Sequence, residues 1–151
     1  MTRPVLMAVD DDTNVLETCR DIFKDIYDVV LMESASEALS HLSDNHVDLI
    51  FLDIKMPEVD GMEMLHQVRM MDDPPPVVMV TATRTAKSAV AAMKLGAFDY
   101  ITKPFNVDEL RLVAEKSLEN RTLVKEVRDL RSQIRKTYGF ESLVGESKPM
   151  Q

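Results

Sequence analysis

Five short apolar runs set the strongest limit on what this chain can fold into: Val5–Val9, Val29–Met32, Leu49–Leu52, Val77–Val80 and Phe98–Ile101. They are rich in β-branched residues and nearly continuous, without polar alternation. Strands buried on both faces of a parallel sheet read this way. Helical patterns lie between them. Leu16, Cys19, Ile22, Phe23 and Ile26 recur at three- and four-residue spacing, as do Ala35, Ala38, Leu39 and Leu42. Met62, Leu65 and Val68 form a shorter stripe, and Ala86, Ala89, Val90 and Met93 another. Ser34 with Glu37 reads as a capping box, and Asn106 with Glu109 resembles one. Gly96-Ala97 reads as the stop of the fourth helix. The expected fold is α/β: a doubly wound, five-stranded parallel sheet built from right-handed crossovers and covered by helices. Such sheets bind ligands outside the carboxyl ends of their strands, so the residues just after each run are the ones to inspect.

Composition narrows the class. The single cysteine, Cys19, cannot close an intramolecular disulfide, which excludes a disulfide scaffold and favours a reducing, cytoplasmic setting. No apolar run approaches the roughly 20 residues that cross a bilayer, and Val5–Val9 is too short for a signal peptide. No membrane contact is expected. The charge is uneven: residues 1–110 hold 20 acidic and 9 basic side chains, residues 111–151 hold 6 and 9. The acidic part argues against nucleic-acid binding by charge, and the shift marks two regions with different tasks.

The first run is followed by Asp10, Asp11 and Asp12, the third by Asp53; the fourth leads into Thr81 and the fifth to Lys103-Pro104. The sheet would bring these groups to one rim. Asp12, next to Thr13 and the first helix, reads equally well as a helix cap. Asp10, Asp11 and Asp53 together do not read as solvated turns, because clustered carboxylates repel unless a cation compensates. An all-oxygen set suits Mg2+, which takes few protein ligands and keeps several waters. Lys103 would offset further charge and meet an incoming anion. His41, His46 and His66 have no second ligand at metal spacing and read as structural or solvated. Met7, Met32, Met79 and Met93 read as core filling. Gly61 is expected to adopt a backbone conformation that other residues disfavour.

Four segments carry a family resemblance: Val9-Asp10-Asp11-Asp12, the stretch from Asp53 through Lys55-Met56-Pro57 and Asp60-Gly61 to Leu65, Met79-Val80-Thr81-Ala82, and Tyr100-Ile101-Thr102-Lys103-Pro104-Phe105. In order and spacing, over about residues 3–120, they resemble the receiver domain of two-component response regulators. The resemblance implies a flavodoxin-like (βα)5 receiver in which Asp53 accepts a phosphoryl group from a sensor histidine kinase. It implies that Asp11 ligates Mg2+ directly, that Asp10 holds it through water, and that Asp53 and the backbone carbonyl of Lys55 complete the protein ligands. Thr81 and Lys103 would contact the phosphoryl oxygens, and Tyr100 would turn in response to Thr81. A cis Lys103-Pro104 bond, slow self-dephosphorylation tuned at Lys55 and Thr83, and no other enzymatic activity are implied as well.

Beyond Asn106 the helical pattern continues. Leu110, Ala114 and Leu118 form one stripe, suited to packing on the sheet. The phase then shifts to Leu123, Val127, Leu130 and Ile134, with Asn120 and Val113 at the heptad position of Val127 and Ile134. This resembles a short coiled-coil seam with a polar residue in it, and a parallel homodimer would set Glu126 against Arg131 of the second chain. After Tyr138-Gly139, the segment Phe140-Glu141-Ser142-Leu143-Val144-Gly145-Glu146 resembles the opening of the central AAA+ ATPase domain of NtrC-type, sigma-54-dependent activators. The expected organisation is therefore a receiver over 1–120, a helical linker over 121–138 and the start of an ATPase domain over 139–151. A missing ATPase domain and sigma-54 RNA polymerase are then partners of the longer protein. Two other functions fit these residues less well. A haloacid-dehalogenase-like phosphatase wants Asp-x-Asp-x-Thr or Val after the first strand, whereas Asn14 follows Asp10-Asp11-Asp12-Thr13 here. An unphosphorylated pseudo-receiver serving as a dimerisation adaptor would not need the intact set Asp10, Asp11, Asp53, Thr81 and Lys103.

Overall fold

The computed structural model describes residues 3–54, 61–82 and 86–138. Strands β1 (Val5–Val9), β2 (Asp28–Met32), β3 (Leu49–Leu52), β4 (Val77–Thr81) and β5 (Asp99–Thr102) alternate with helices α1 (Thr13–Phe23), α2 (Ala35–Asp44), α3 (Gly61–Arg69), α4 (Ala86–Lys94) and α5 (Val107–Tyr138). All strand pairs are parallel, in the order β2-β1-β3-β4-β5. This is the flavodoxin-like α/β arrangement expected, with strand ends displaced by one residue at β2, β4 and β5. The order reverses at β1, whose neighbours are β2 and β3. Its carboxyl end is therefore the switch point where such sheets open a crevice.

Successive strand residues point to opposite faces, and both faces are covered. Leu6, Ala8, Leu49, Phe51, Val78, Val80 and Ile101 pack with Leu16, Cys19, Phe23, Leu110, Val113 and Ala114 of α1 and α5. Met7, Val9, Ile50, Leu52, Val77 and Met79 pack on the other side with Ala38, Leu42, Met64, Leu65, Val68 and Ala92 of α2, α3 and α4. Side-chain caps start three helices. Asp12 accepts from the Asn14 amide at 2.9 Å, Ser34 from the Glu37 amide at 3.2 Å, and Asn106 from the Asp108 and Glu109 amides at 2.8 and 3.2 Å.

Three expectations are corrected. Ile26 is 55% exposed, and Tyr27 takes the core position instead. Helix α1 ends at Phe23, and a tight turn follows in which the Ile26 and Tyr27 amides both donate to the Phe23 carbonyl. The turn carries Ile26 outward and sets the Tyr27 ring against Phe23 at a tilt, ring centroids 5.5 Å apart. Among the described side chains of α4 the buried one is Ala92, while Val90 and Met93 are half exposed. The Ala97 amide donates to the Ala92 carbonyl and the Phe98 amide to Val77, which fixes the phase of the helix end. At 100° per residue, Val90 and Met93 then fall off the packed side, and Met93 does not fill the core. Gly96 closes the helix at φ +104°, where a side chain would be strained and would press on Arg69. Val113 is buried among the α1-facing core residues and so is not a seam residue of α5.

The chain separates into two compact units, Met1–Leu118 and Glu119–Gln151. Among the described residues no helix is long and apolar enough to cross a membrane.

Candidate functional site

Strand register alone brings the acidic residues together. Val9 pairs with Leu52 across β1 and β3, so Asp10 and Asp53 emerge side by side. The Asp53 amide donates to the Val9 carbonyl at 3.0 Å and the Asp10 amide to Met32 at 3.1 Å, so both backbones are held as the chain leaves the sheet. Asp10 and Asp53 are buried and Asp11 is exposed, and one carboxylate oxygen from each lies within 4.8 Å of the others.

Lys103 reaches this cluster from the end of β5. Its amide donates to the Thr81 carbonyl at 2.8 Å, continuing the β4–β5 ladder, and the Lys103-Pro104 bond is cis. Its ammonium donates to Asp10 Oδ2 at 2.7 Å and lies 3.7 Å from Asp53 Oδ2. Asp10 Oδ1 accepts from the Asp12 amide at 2.9 Å. Burial pushes the Asp10 carboxyl up, and the Asp53 charge adds to the rise; the Lys103 and Asp12 hydrogen bonds oppose it without cancelling it. Burial alone would push Lys103 down, but its hydrogen bond to Asp10 and the charges of Asp10, Asp53 and Asp12 outweigh that and hold it raised. Among the described residues, the Lys103 ammonium faces both Asp10 and Asp53. Oxygen donors of this number and spacing fit a small divalent cation, Mg2+ above all, and Asp10, Asp11 and Asp53 are the side chains that would hold it.

Thr81 is buried at the carboxyl end of β4. Tyr100 lies opposite Met79 in the β4–β5 register and is partly buried; burial first, then the Asp53 charge, raises its phenol. Lys55, Pro57 and Thr83 lie outside the described residues. Asn120, Leu123, Val127 and Leu130 are exposed on α5, and the Ile134 side chain lies outside what is described.

Two features escape a reading of the sequence. Gly61 does not take a left-handed backbone; among the described glycines only Gly96 does. Its reason is close approach instead. The Gly61 amide donates to the Ile54 carbonyl at 2.7 Å, and a Cβ there would lie 2.7 Å from Ile54 Cα and overlap the Asp53 carbonyl oxygen. Gly61 therefore returns the chain directly against the backbone that carries Asp53. Asp12 serves the cluster as well as capping α1, through its amide to Asp10 and its charge on Lys103.

The profile of the response regulator receiver domain family matches residues 6–115. The chain is similar to the regulatory protein AtoC of Escherichia coli, 32% identical over 146 residues that cover 96% of this chain and 32% of that protein. It is 38% identical over 132 residues to the alginate biosynthesis transcriptional regulatory protein AlgB of Pseudomonas aeruginosa, covering 87% of this chain and 29% of AlgB. The chain thus spans 32% and 29% of the length of these two curated relatives. Among solved structures, NtrX from Brucella abortus superposes with a TM-score of 0.80 at 32% identity, covering 90% of this chain and 33% of that one. A CheY-like receiver domain protein from Methanospirillum hungatei superposes at 0.76 and 27% identity, covering 80% and 98%.

Proposed function

The chain belongs to the response regulator receiver family, and on that premise we propose that Asp53 is its phosphoacceptor and that a phosphohistidine of a sensor kinase is the donor. A receiver is a signalling domain of a two-component system, so the chemistry to explain is a single modification that other parts of a protein read. The observation that carries the assignment is the position of Asp53: buried, at the switch point, within 4.8 Å of Asp10 and Asp11 oxygens and 3.7 Å from the Lys103 ammonium.

A carboxylate oxygen of Asp53 attacks phosphorus, the phosphorus–nitrogen bond of the donor breaks, and the imidazole leaves with the electron pair. An acyl phosphate remains on Asp53. Little covalent assistance is needed; positioning and charge neutralisation dominate such transfers. Bound Mg2+ would supply Lewis-acid neutralisation of the phosphoryl oxygens. Asp11 and Asp10 would hold that ion, with the Lys55 carbonyl joining them in this reading. Lys103 and the Thr81 hydroxyl meet the phosphoryl oxygens. The added charge, about −1.5 to −2 in place of one carboxylate, draws Thr81 toward Asp53 and leaves room for Tyr100 to turn inward. Water later hydrolyses the acyl phosphate slowly, which resets the switch.

The similarity to AtoC, AlgB and NtrX supports placing this receiver in an NtrC-type activator, where the output is an AAA+ ATPase domain acting on sigma-54 RNA polymerase. The exposed Leu123, Val127 and Leu130 support a homodimeric seam in α5 that carries the signal. Residues 139–151, the proposed start of the ATPase domain, lie outside the described residues. The intact set of Asp10, Asp11, Asp53, Thr81 and Lys103 is the reason to prefer a phosphorylated receiver over a pseudo-receiver.

The test is acetyl phosphate with Mg2+, followed by mass spectrometry of the intact protein and its peptides. One phosphoryl group on Asp53, absent from Asp53→Asn and from protein treated with EDTA, is the expected result. Phosphorus found on another residue, or equal labelling of Asp53→Asn, overturns the assignment.

A further inference from the structure

Helix α3 meets the Asp53 backbone at one end and a distant turn at the other. Its first residue, Gly61, donates its amide to the Ile54 carbonyl at 2.7 Å, with no room for a Cβ beside the Asp53 carbonyl. Its last residue, Arg69, lies across Gly96, which closes α4. Arg69 Nε, Cδ and Cγ come within 2.7, 3.3 and 3.5 Å of the place where a Cβ on Gly96 would stand. Each end of α3 thus makes a contact that only a glycine permits. Met64, Leu65 and Val68 between them are fully buried, so the helix is anchored along its length of about 13 Å. Helix α4 is held more lightly. Among its described side chains only Ala92 is buried. Its end is fixed by the Leu95, Gly96 and Ala97 amides, which donate to the Ala91, Met93 and Ala92 carbonyls. Arg69 bears on the middle residue of those three. An element with so little buried surface shifts at low cost, so a contact at its end sets its position.

We propose that α3 is a strut between the phosphoacceptor and α4: Gly61 takes up a displacement of the Asp53 backbone, and Arg69 delivers it to Gly96 as a positioning residue. The inference rests on the reading of Asp53 as phosphoacceptor and adds a second route beside that of Thr81 and Tyr100. Asp53 is buried, and a close-packed interior passes on the strain of an added phosphoryl group instead of absorbing it. Coupling of this kind needs contiguous packed contacts and a rigid element, and α3 supplies both. The pressing surface at Gly96 includes the aliphatic stem of Arg69, Cγ and Cδ, so the reach of the side chain matters as well as its charge. Tyr100 packs against the cluster that holds Ala92 and Ala97, so the two routes end on the same part of the fold.

The experiment loads the full chain with beryllofluoride, a phosphoryl mimic, and Mg2+, and follows the Gly96 amide and the Tyr100 ring by NMR. Both resonances should shift on loading in the native chain. In Arg69→Ala the Gly96 shift on loading should be lost while the Tyr100 shift is kept. Arg69→Lys, which keeps a long aliphatic stem, should restore it. Arg69 is exposed, so its truncation does not empty the core. Arg20→Ala makes the same change in net charge on an exposed position of α1, which covers the opposite face of the sheet, and should respond as the native chain does. A Gly96 amide that shifts as far in Arg69→Ala as in the native chain overturns the strut. So does a native Gly96 amide that stays still while Tyr100 responds, or a loss that Arg69→Lys does not restore. Asp53→Asn separates these outcomes from a failure of the underlying reading, since it should show neither shift. Equal shifts in Asp53→Asn and the native chain mean that Asp53 is not the acceptor, whatever Arg69 does.

Discussion

Cys19 sits under the acidic rim, 3% exposed, and lines a small gap shared with Asp10 and Asp53. Burial first, then the Asp10 charge, pushes its thiol from 9.0 up to about 11. The folded thiol thus holds its proton more tightly than the unfolded one. Its contribution to stability is complete below pH 9 and drains away as pH rises to about 11, a loss on the order of 2–3 kcal/mol at 1.36 kcal/mol per unit. Urea unfolding of the native chain and of Cys19→Ala at pH 8 to 11 measures it, because other groups titrate alike in both. The native chain should lose its stability advantage across that window, and a difference that stays constant contradicts the buried, protonated thiol. Residues of this kind show what a sequence discloses. Asp10, Asp11, Asp53 and Lys103 were legible as one group because each comes just after a strand, and Thr81 because it ends one. Tyr27 was not, because Ile26 and Tyr27 both satisfy the apolar spacing and only the turn after Phe23 decides between them. Nor was the role of Gly61, which depends on two backbones meeting across a loop.

At the level of elements, local signals and tertiary packing divided the work. Asp12, Ser34 and Asn106 were readable as caps because a short polar side chain before an apolar helical stripe satisfies amides that the helix leaves open. The Glu37 side chain also accepts from the Glu33 amide at 3.2 Å, one residue before the cap rather than on it. Ser34→Ala and Asn106→Ala should each lower stability by about 1 kcal/mol, and the double variant by roughly the sum, since α2 and α5 cover opposite faces of the sheet. Denaturant midpoints at constant slope check this. A strongly non-additive double variant would mean that the two helix starts are coupled through the sheet. The phase of α4 was not readable in the same way. Ala89, Val90, Ala91, Ala92 and Met93 offer several apolar faces, and the phase was set by Ala97 and Phe98 docking on Ala92 and on Val77 of β4. Small residues allow a helix to approach a sheet closely, and the bulky Val90 and Met93 are left half exposed.

For the whole molecule, the division at Leu118 leaves the acidic cluster in one unit and the exposed apolar stripe of the long helix in the other. Asp10, Asp11, Asp53, Thr81, Tyr100 and Lys103 all belong to the unit Met1–Leu118, whose two-faced core includes Leu110, Val113, Ala114 and Ser117 of α5. The unit Glu119–Gln151 contains Leu123, Val127 and Leu130, 59%, 46% and 58% exposed, at the four-three spacing of a helix seam. An isolated helix of that length is marginal in water, and it gains most by burying its apolar stripe against another. Val113 is taken by the receiver core, so a seam of this spacing would begin no earlier than about Asn120. A chain ending at Asn120 keeps every group of the acidic cluster and every residue of both sheet-facing cores. It should bind Mg2+ within about twofold of the full chain, as expected when a deletion removes no contact to the site. It should sediment as a monomer at concentrations where the full chain associates, and Leu123→Asp with Leu130→Asp in the full chain should give the same result. Self-association that survives both changes would place the interface on the receiver itself, with the half-exposed Val90 and Met93 of α4 the next surface to alter.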